Sequence, residues 1–246
     1  MRLAIALILL LPFYIEAQTL EDLSKLPKPT PVWQKNDDWC PKGGDGDDTE
    51  LSLVKNRIDI PKAVKAYHAV DFDEVLTKDY KAGTTGPRNT PGKDVSSIHK
   101  YEGIPIVLQG FLRYTKEGSK SVGAIQEGAE ACNCHRPKAD FEHVDYHLWL
   151  VKKPSDPLGK AVVVEMTPRI RAKMKGRAMK EDQLESDLNF LAANKIPVKI
   201  FGWLMFDGEH VGQLPGHAKV RRGTLWEIHP ITSIYTFQDN KWQKLY

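Results

Sequence analysis

Histidines and carboxylates recur in the second half of the chain at spacings that suit a divalent cation. Asp145 and His147 stand two apart, Glu227 and His229 stand two apart, and Glu165 lies in the apolar run Ala161 to Met166. Residues two apart share one face of a strand. Neutral imidazole nitrogen and carboxylate oxygen are ligands for zinc and related ions. Asp145, His147, Glu165, Glu227 and His229 are therefore the candidate metal ligands, and His210 follows in Asp207-Gly208-Glu209-His210. Arg169 and Arg171 carry guanidinium forks that match a phosphate. Such a set would suit metal-assisted phosphodiester hydrolysis. The plainer alternative is a water-facing strand with ordinary His–Glu pairs. The spacings do not match His-Glu-x-x-His, and Gly-x-Ser-x-Gly, phosphate-loop and dinucleotide patterns are missing. No cofactor is called for beyond a possible divalent metal.

A second chemistry lies in the basic run Arg169, Arg171, Lys173, Lys175, Arg177 and Lys180. Clustered positive charge attracts polyanions. Trp149 and Trp203, if exposed, would be stacking platforms for bases or sugars; the alternative for Trp203 is a place in the core. The opposing view is a solvated connection balanced by Glu181, Asp182, Glu185 and Asp187. Whole-chain charge does not decide the matter: 35 Lys+Arg against 32 Asp+Glu leave a net +3, too small to argue for nucleic acid.

The elements that must position these residues are legible from periodicity. From His143 to Val151 apolar and polar residues alternate, with Val144, Tyr146, Leu148 and Leu150 on one side and His143, Asp145, His147 and Trp149 on the other, as in a half-buried strand. Ile104 to Tyr114 is β-rich around Gly110, a position for a bulge or bend. A turn at Pro154 to Gly159 leads to a strand at Ala161–Met166, so an antiparallel hairpin sets Glu165 near His147. Glu181 to Ala193 has leucines at helical spacing, Val198 to Phe206 is a strand, and Gly223 to Phe237 is one long or broken strand interrupted at Pro230. Three strands, a helix and two strands is the order of the five-stranded OB barrel. The expectation is a mainly β protein with one or two helices: an OB-like barrel over residues 100–246, with the His and carboxylate side chains converging on one face or mouth.

The region before the barrel reads differently. Met1-Arg2, the apolar run Leu3 to Ile15 and Ala17 form a signal-peptide pattern over residues 1–17. The run is shorter than the roughly 20 residues a membrane-spanning helix needs. A secreted or periplasmic protein is expected, with no stable membrane anchor after signal removal. Residues 18–99 read as an irregular arm, rich in Pro, Gly and Asp, with a short helix around Ala63–Val75 and a loop over 81–97. Asp45-Gly46-Asp47 resembles part of a calcium loop, but its remaining ligand pattern is missing, which favours a solvated turn. An oxidising compartment suggests one disulfide among three cysteines, from Cys40 to Cys132 or Cys134. It would stabilise by about 4 kcal/mol in the chain-entropy model. A metal site at Cys132, Cys134 and His135 is the rival, at an uncommon zinc spacing.

Several segments carry a resemblance. His147-Leu148-Trp149-Leu150, Val162 to Arg169, Gly202 to Asp207 and Arg222 to Thr232 are similar to a group of uncharacterised exported bacterial proteins, as are Leu53 to Arg57 and Asn133-Cys134. The likeness spans about two thirds of the chain after the signal. It implies no catalytic role; it implies Cys134 as the partner of Cys40. The expected function is a non-enzymatic binding module with its ligand at His147, Trp149, Arg169, Arg171 and His229. The ligand class stays open among a polyanion, nucleic acid and oligosaccharide. The rival is the metal-dependent phosphoesterase or nuclease.

Overall fold

Leu148 and Leu150 point one way and His147 and Trp149 the other, and the barrel is built around that division. The computed structural model describes residues 17–33, 43–44, 48–81, 83–113, 125–127, 145–175 and 181–246. Its strands are β1 (His68–Ala69), β2 (Pro105–Leu112), β3 (Ile125–Glu127), β4 (Tyr146–Val151), β5 (Val162–Met166), β6 (Pro197–Phe206), β7 (Trp226–Gln238) and β8 (Lys241–Lys244). The helices are α1 (Leu20–Leu23), α2 (Thr49–Lys55), α3 (Phe72–Leu76), α4 (Ser96–His99), α5 (Pro168–Lys175) and α6 (Glu181–Ala193). The signal pattern of residues 1–16, the three cysteines, His135 and Asp45-Gly46-Asp47 lie outside the described residues.

Hydrogen bonding runs β2-β6-β7-β5-β4, and β4 returns to β2 through Phe111↔Val151 and Leu112↔Leu150. This closes a five-stranded barrel. The β5–β7 pair is parallel and the other pairs around the barrel are antiparallel. With barrel strands taken in chain order, the third lies beside the fifth and α6 connects the third to the fourth, which is the expected OB arrangement. β1 adds to β2, β3 to β4 and β8 to β7.

Two glycines make the closure possible. A Cβ on Gly110 would meet the Val151 carbonyl oxygen at 2.5 Å, at the β2–β4 seam. A Cβ on Gly202 would meet Ile228 Cγ2 at 2.3 Å and the Pro230 carbonyl oxygen at 2.5 Å, where the β6–β7 register shifts. Hydrogen at these positions lets neighbouring backbones approach. The barrel interior is filled by Leu148, Leu150, Val162, Val164, Ile200, Leu204 and Ile228. α6 covers this core with Leu184, Leu188 and Leu191, each contributing about 1.5–3 kcal/mol of burial.

The arm departs from expectation in two ways. The helix read at Ala63–Val75 is a 3-10 turn at Val64–Ala66, then β1, then α3. Asp71 explains the break: its carboxylate accepts from the Asp73 amide at 2.8 Å and caps α3, while 68–69 pair with β2. The arm is also more apolar in place than in composition. Leu20, Leu23, Val70, Phe72, Val75 and Ile98 join the same core as the barrel. Within the 81–97 loop, Arg88 is buried, pairs with Glu102 and donates to the Phe206 carbonyl at 2.5 Å, which ties the loop to the barrel.

Candidate functional site

The outward faces of β4, β5 and β7 form a polar sheet surface that other segments then cover. Register places His147 across from Glu165, and the parallel β5–β7 pair sets Val163 beside Glu227. His147 Nε2 lies 2.9 Å from Glu165 Oε1, and His229 Nδ1 lies 3.0 Å from Glu165 Oε2. One carboxylate thus holds an imidazole at each oxygen. His229 Nδ1 is 3.7 Å from Glu227 Oε2, and Arg222 Nη1 donates to Glu227 Oε1. Atoms of Asp145, Glu165 and His229 all lie within 4.8 Å of one another.

Two covering segments complete the site. α2 ends on Lys55, whose ammonium is 2.9 Å from Asp207 Oδ2 just after β6. Asp207 Oδ1 meets His210 Nδ1 at 3.0 Å and accepts from the Glu209 amide at 3.1 Å, starting the 3-10 turn Gly208–Gln213. Arg222 Nε donates to Gln213 Oε1 at 3.2 Å. Above these groups lies a cleft of about 130 Å³, lined by His147, Trp149, Val163, His210, Gln213, Arg221 and Arg222. His147 bridges the levels: its side chain is 26% exposed, whereas that of Glu165 is 2% and that of His229 is 0%.

Burial and charge act against each other here. Burial alone would push the His229 imidazole down, but the Glu165 carboxylate outweighs it and lifts the ring to about 9. His147 feels the same opposition and is raised. Burial would lift Glu165, yet the two imidazoles hold it well below the usual carboxylate range. Asp207 is likewise held down by Lys55 and His210 against its burial. Burial disfavours charge on Lys55, but Asp207 raises its pKa.

Asp145, His147, Glu165, Glu227 and His229 therefore gather on one face, as their sequence spacing suggests, and His210 joins them only as part of the cleft lining, from the turn after β6. Arg169 and Arg171 do not join the cleft. Both are buried on α5: Arg169 Nη1 donates to Asn56 Oδ1 at 2.7 Å, and Arg171 Nη1 donates to the Met166 carbonyl at 3.0 Å while its guanidinium lies 4.1 Å over the Tyr146 ring. Their forks are spent inside the protein. Trp149 is 4% exposed, packs with Val151, Ala161 and Val163 and lines the cleft. Trp203 is buried beneath Arg57, whose guanidinium sits 3.5 Å from its ring. Neither tryptophan is an open stacking platform.

Lys55, Gln213, Arg221 and Arg222 were not marked by spacing. Lys55 and Arg222 do fall in segments that carry the resemblance described above. Comparison with family models, with curated proteins and with solved structures finds no match.

Proposed function

We propose that the protein is an exported binding module whose ligand is a small molecule with an anionic group, held in the cleft over β4, β5 and β7. The observation that carries this reading is the lining itself. His147, His210, Arg221 and Arg222 line one small space together with Trp149 and Val163, so basic and apolar side chains border the same cleft. Few, convergent polar groups beside apolar ones are what orient a small ligand. A volume of about 130 Å³ has room for one small group. The site lies on the second and third barrel strands and the loop between the fourth and fifth, where OB barrels take ligands, a fold-level analogy. Export rests on the amino-terminal pattern; no helix among the described residues is long and apolar enough to cross a membrane.

The test is calorimetric titration of the purified chain with inorganic phosphate, a nucleoside monophosphate, a single-stranded DNA oligomer and a neutral trisaccharide. Saturable binding of a small anion, weakened at least about tenfold by Arg221→Ala and by His147→Ala, is the expected result, since a lost charged contact costs about 1.5–3 kcal/mol. Binding of the DNA or trisaccharide alone would overturn it. The phosphoesterase reading keeps one specific support, the buried His and carboxylate cluster directly under the cleft. Hydrolysis of a chromogenic phosphodiester that stops with chelator would establish it in place of simple binding.

A further inference from the structure

We infer that the cluster beneath the cleft is a binding site for one divalent transition cation, Mn2+ or Zn2+, held by Asp145, Glu165, Glu227 and His229. The inference deepens the functional reading but does not depend on the cleft ligand.

Three observations carry it. The first is charge. Glu165 is 1% exposed, and among the described residues its ion-pair partners are two imidazoles, with no lysine or arginine. Imidazoles can release their protons when a cation binds, and an atom of the buried Asp145 carboxylate lies within 4.8 Å of Glu165 and His229. The second is the set of unused atoms. His229 is fully buried, and neither ring nitrogen makes a hydrogen bond; Glu227 Oε2 is likewise buried and unbonded. The Nδ1 atom approaches Glu165 Oε2 at 3.0 Å and Glu227 Oε2 at 3.7 Å without hydrogen-bond geometry. Neighbouring donor atoms that share an ion at about 2.0–2.2 Å are about 3.0–3.5 Å apart; the His229–Glu165 pair already has that spacing, and Glu227 Oε2 at 3.7 Å and Asp145, within 4.8 Å, would draw in on an ion. The third is support. His147 grips the other oxygen of Glu165, and Arg222 donates to the other oxygen of Glu227. Each carboxylate is thereby turned with one oxygen toward His229. Such outer contacts orient ligands at metal sites.

The donors select the ion. Carboxylate oxygens with an imidazole and no sulfur favour Mn2+ or Zn2+; all-oxygen sites suit Mg2+ and Ca2+ better. His147 is here a positioning residue. It also lines the cleft, so an anion bound there sits close to the cation and gains from its charge.

The experiment uses the full chain, purified without an affinity tag, stripped with chelator and with free thiols alkylated to silence any site at the cysteines. It is titrated with Mn2+, Zn2+, Mg2+ and Ca2+ separately, with no phosphate present. Bound metal is measured by plasma mass spectrometry and the melting temperature is followed. The expected result is about one equivalent of Mn2+ or Zn2+ per chain, raised Tm, and weaker response to Mg2+ and Ca2+. Glu165→Gln and His229→Gln should abolish this binding. His147→Gln should keep the stoichiometry and weaken affinity about 10–100-fold. His217→Gln, at an exposed histidine away from the cluster, should change nothing. Wild-type protein that binds none of the four ions and shows no Tm shift would overturn the inference, leaving His229 as the counter-charge of Glu165. Undiminished binding in folded Glu165→Gln and His229→Gln would overturn it as well. Because the titrations contain no cleft ligand, their failure leaves the anion-binding reading intact, and the reverse also holds.

Discussion

Asp207 shows how one residue joins the arm to the barrel. It is fully buried, takes Lys55 from the arm on one oxygen and His210 on the other, and so fixes both against the end of β6. Removing one partner of such a pair leaves a buried charge and costs about 3–5 kcal/mol. The Asp207→Asn variant should therefore lose about that much in urea unfolding near neutral pH. The pH dependence has a definite sign. Asp207 titrates lower in the folded protein than in the unfolded chain, so its stabilisation is complete above about pH 4 and is lost as pH falls through the depressed folded value. The gap between wild type and Asp207→Asn should narrow as pH falls below about 4. An unchanged gap in acid would show that the carboxylate charge is not the source.

At the scale of elements, barrel closure depends on where side chains are absent. Gly202→Ala would place a methyl within 2.3–2.5 Å of Ile228 and Pro230 on β7. Overpacking of this kind costs about 1–3 kcal/mol, and Tm should fall accordingly. Because β7 carries Glu227 and His229, metal and anion titrations should also weaken. Gly110→Ala strikes the β2–β4 seam instead; hydrogen exchange should quicken at 110–112 and 150–151, and equal protection there would refute a tight seam. The missed helix α5 belongs to this scale too. Its charges read as a solvated connection, but Ile170 is buried and Thr167 accepts from its amide at 3.3 Å. Pro168 at the first helical position fits the start. Long Arg stems let a basic stretch line a core while its heads find buried acceptors.

For the whole molecule, arm and barrel are one packing unit. Leu20, Leu23, Val70, Phe72, Val75 and Ile98 come from the arm and reach the barrel's core cluster. A chain restricted to residues 100–246 would uncover those contacts and leave Asp207 without Lys55. It should show no cooperative thermal transition and should bind a hydrophobic dye. A sharp transition at the full-length Tm would show that the arm is dispensable. The polyanion expectation also changes at this scale: Arg169 and Arg171 are interior, and the positive groups at the cleft are Arg221 and Arg222 from the loop before β7.

Sequence by itself determined the barrel strands, α6 and the convergence of His147 with Glu165 and of Glu227 with His229. Alternation of period two assigns each side chain to a face, and a short hairpin leaves little freedom of register. That is local information. It could not tell that the polar face would be roofed, because the roof comes from Lys55, Gln213 and Arg222, far along the chain from β4 and β5. Nor could it tell that the arginines would turn inward or that one tryptophan would lie under Arg57. Burial is decided by which distant segments meet, and burial makes the cluster chemically distinct. On a wet strand, Glu165 and its two imidazoles would be ordinary surface pairs. Enclosed by the arm and the 207–225 loop, the same three residues are strongly interacting groups held out of water, with Lys55 and Arg222 as buried charged neighbours.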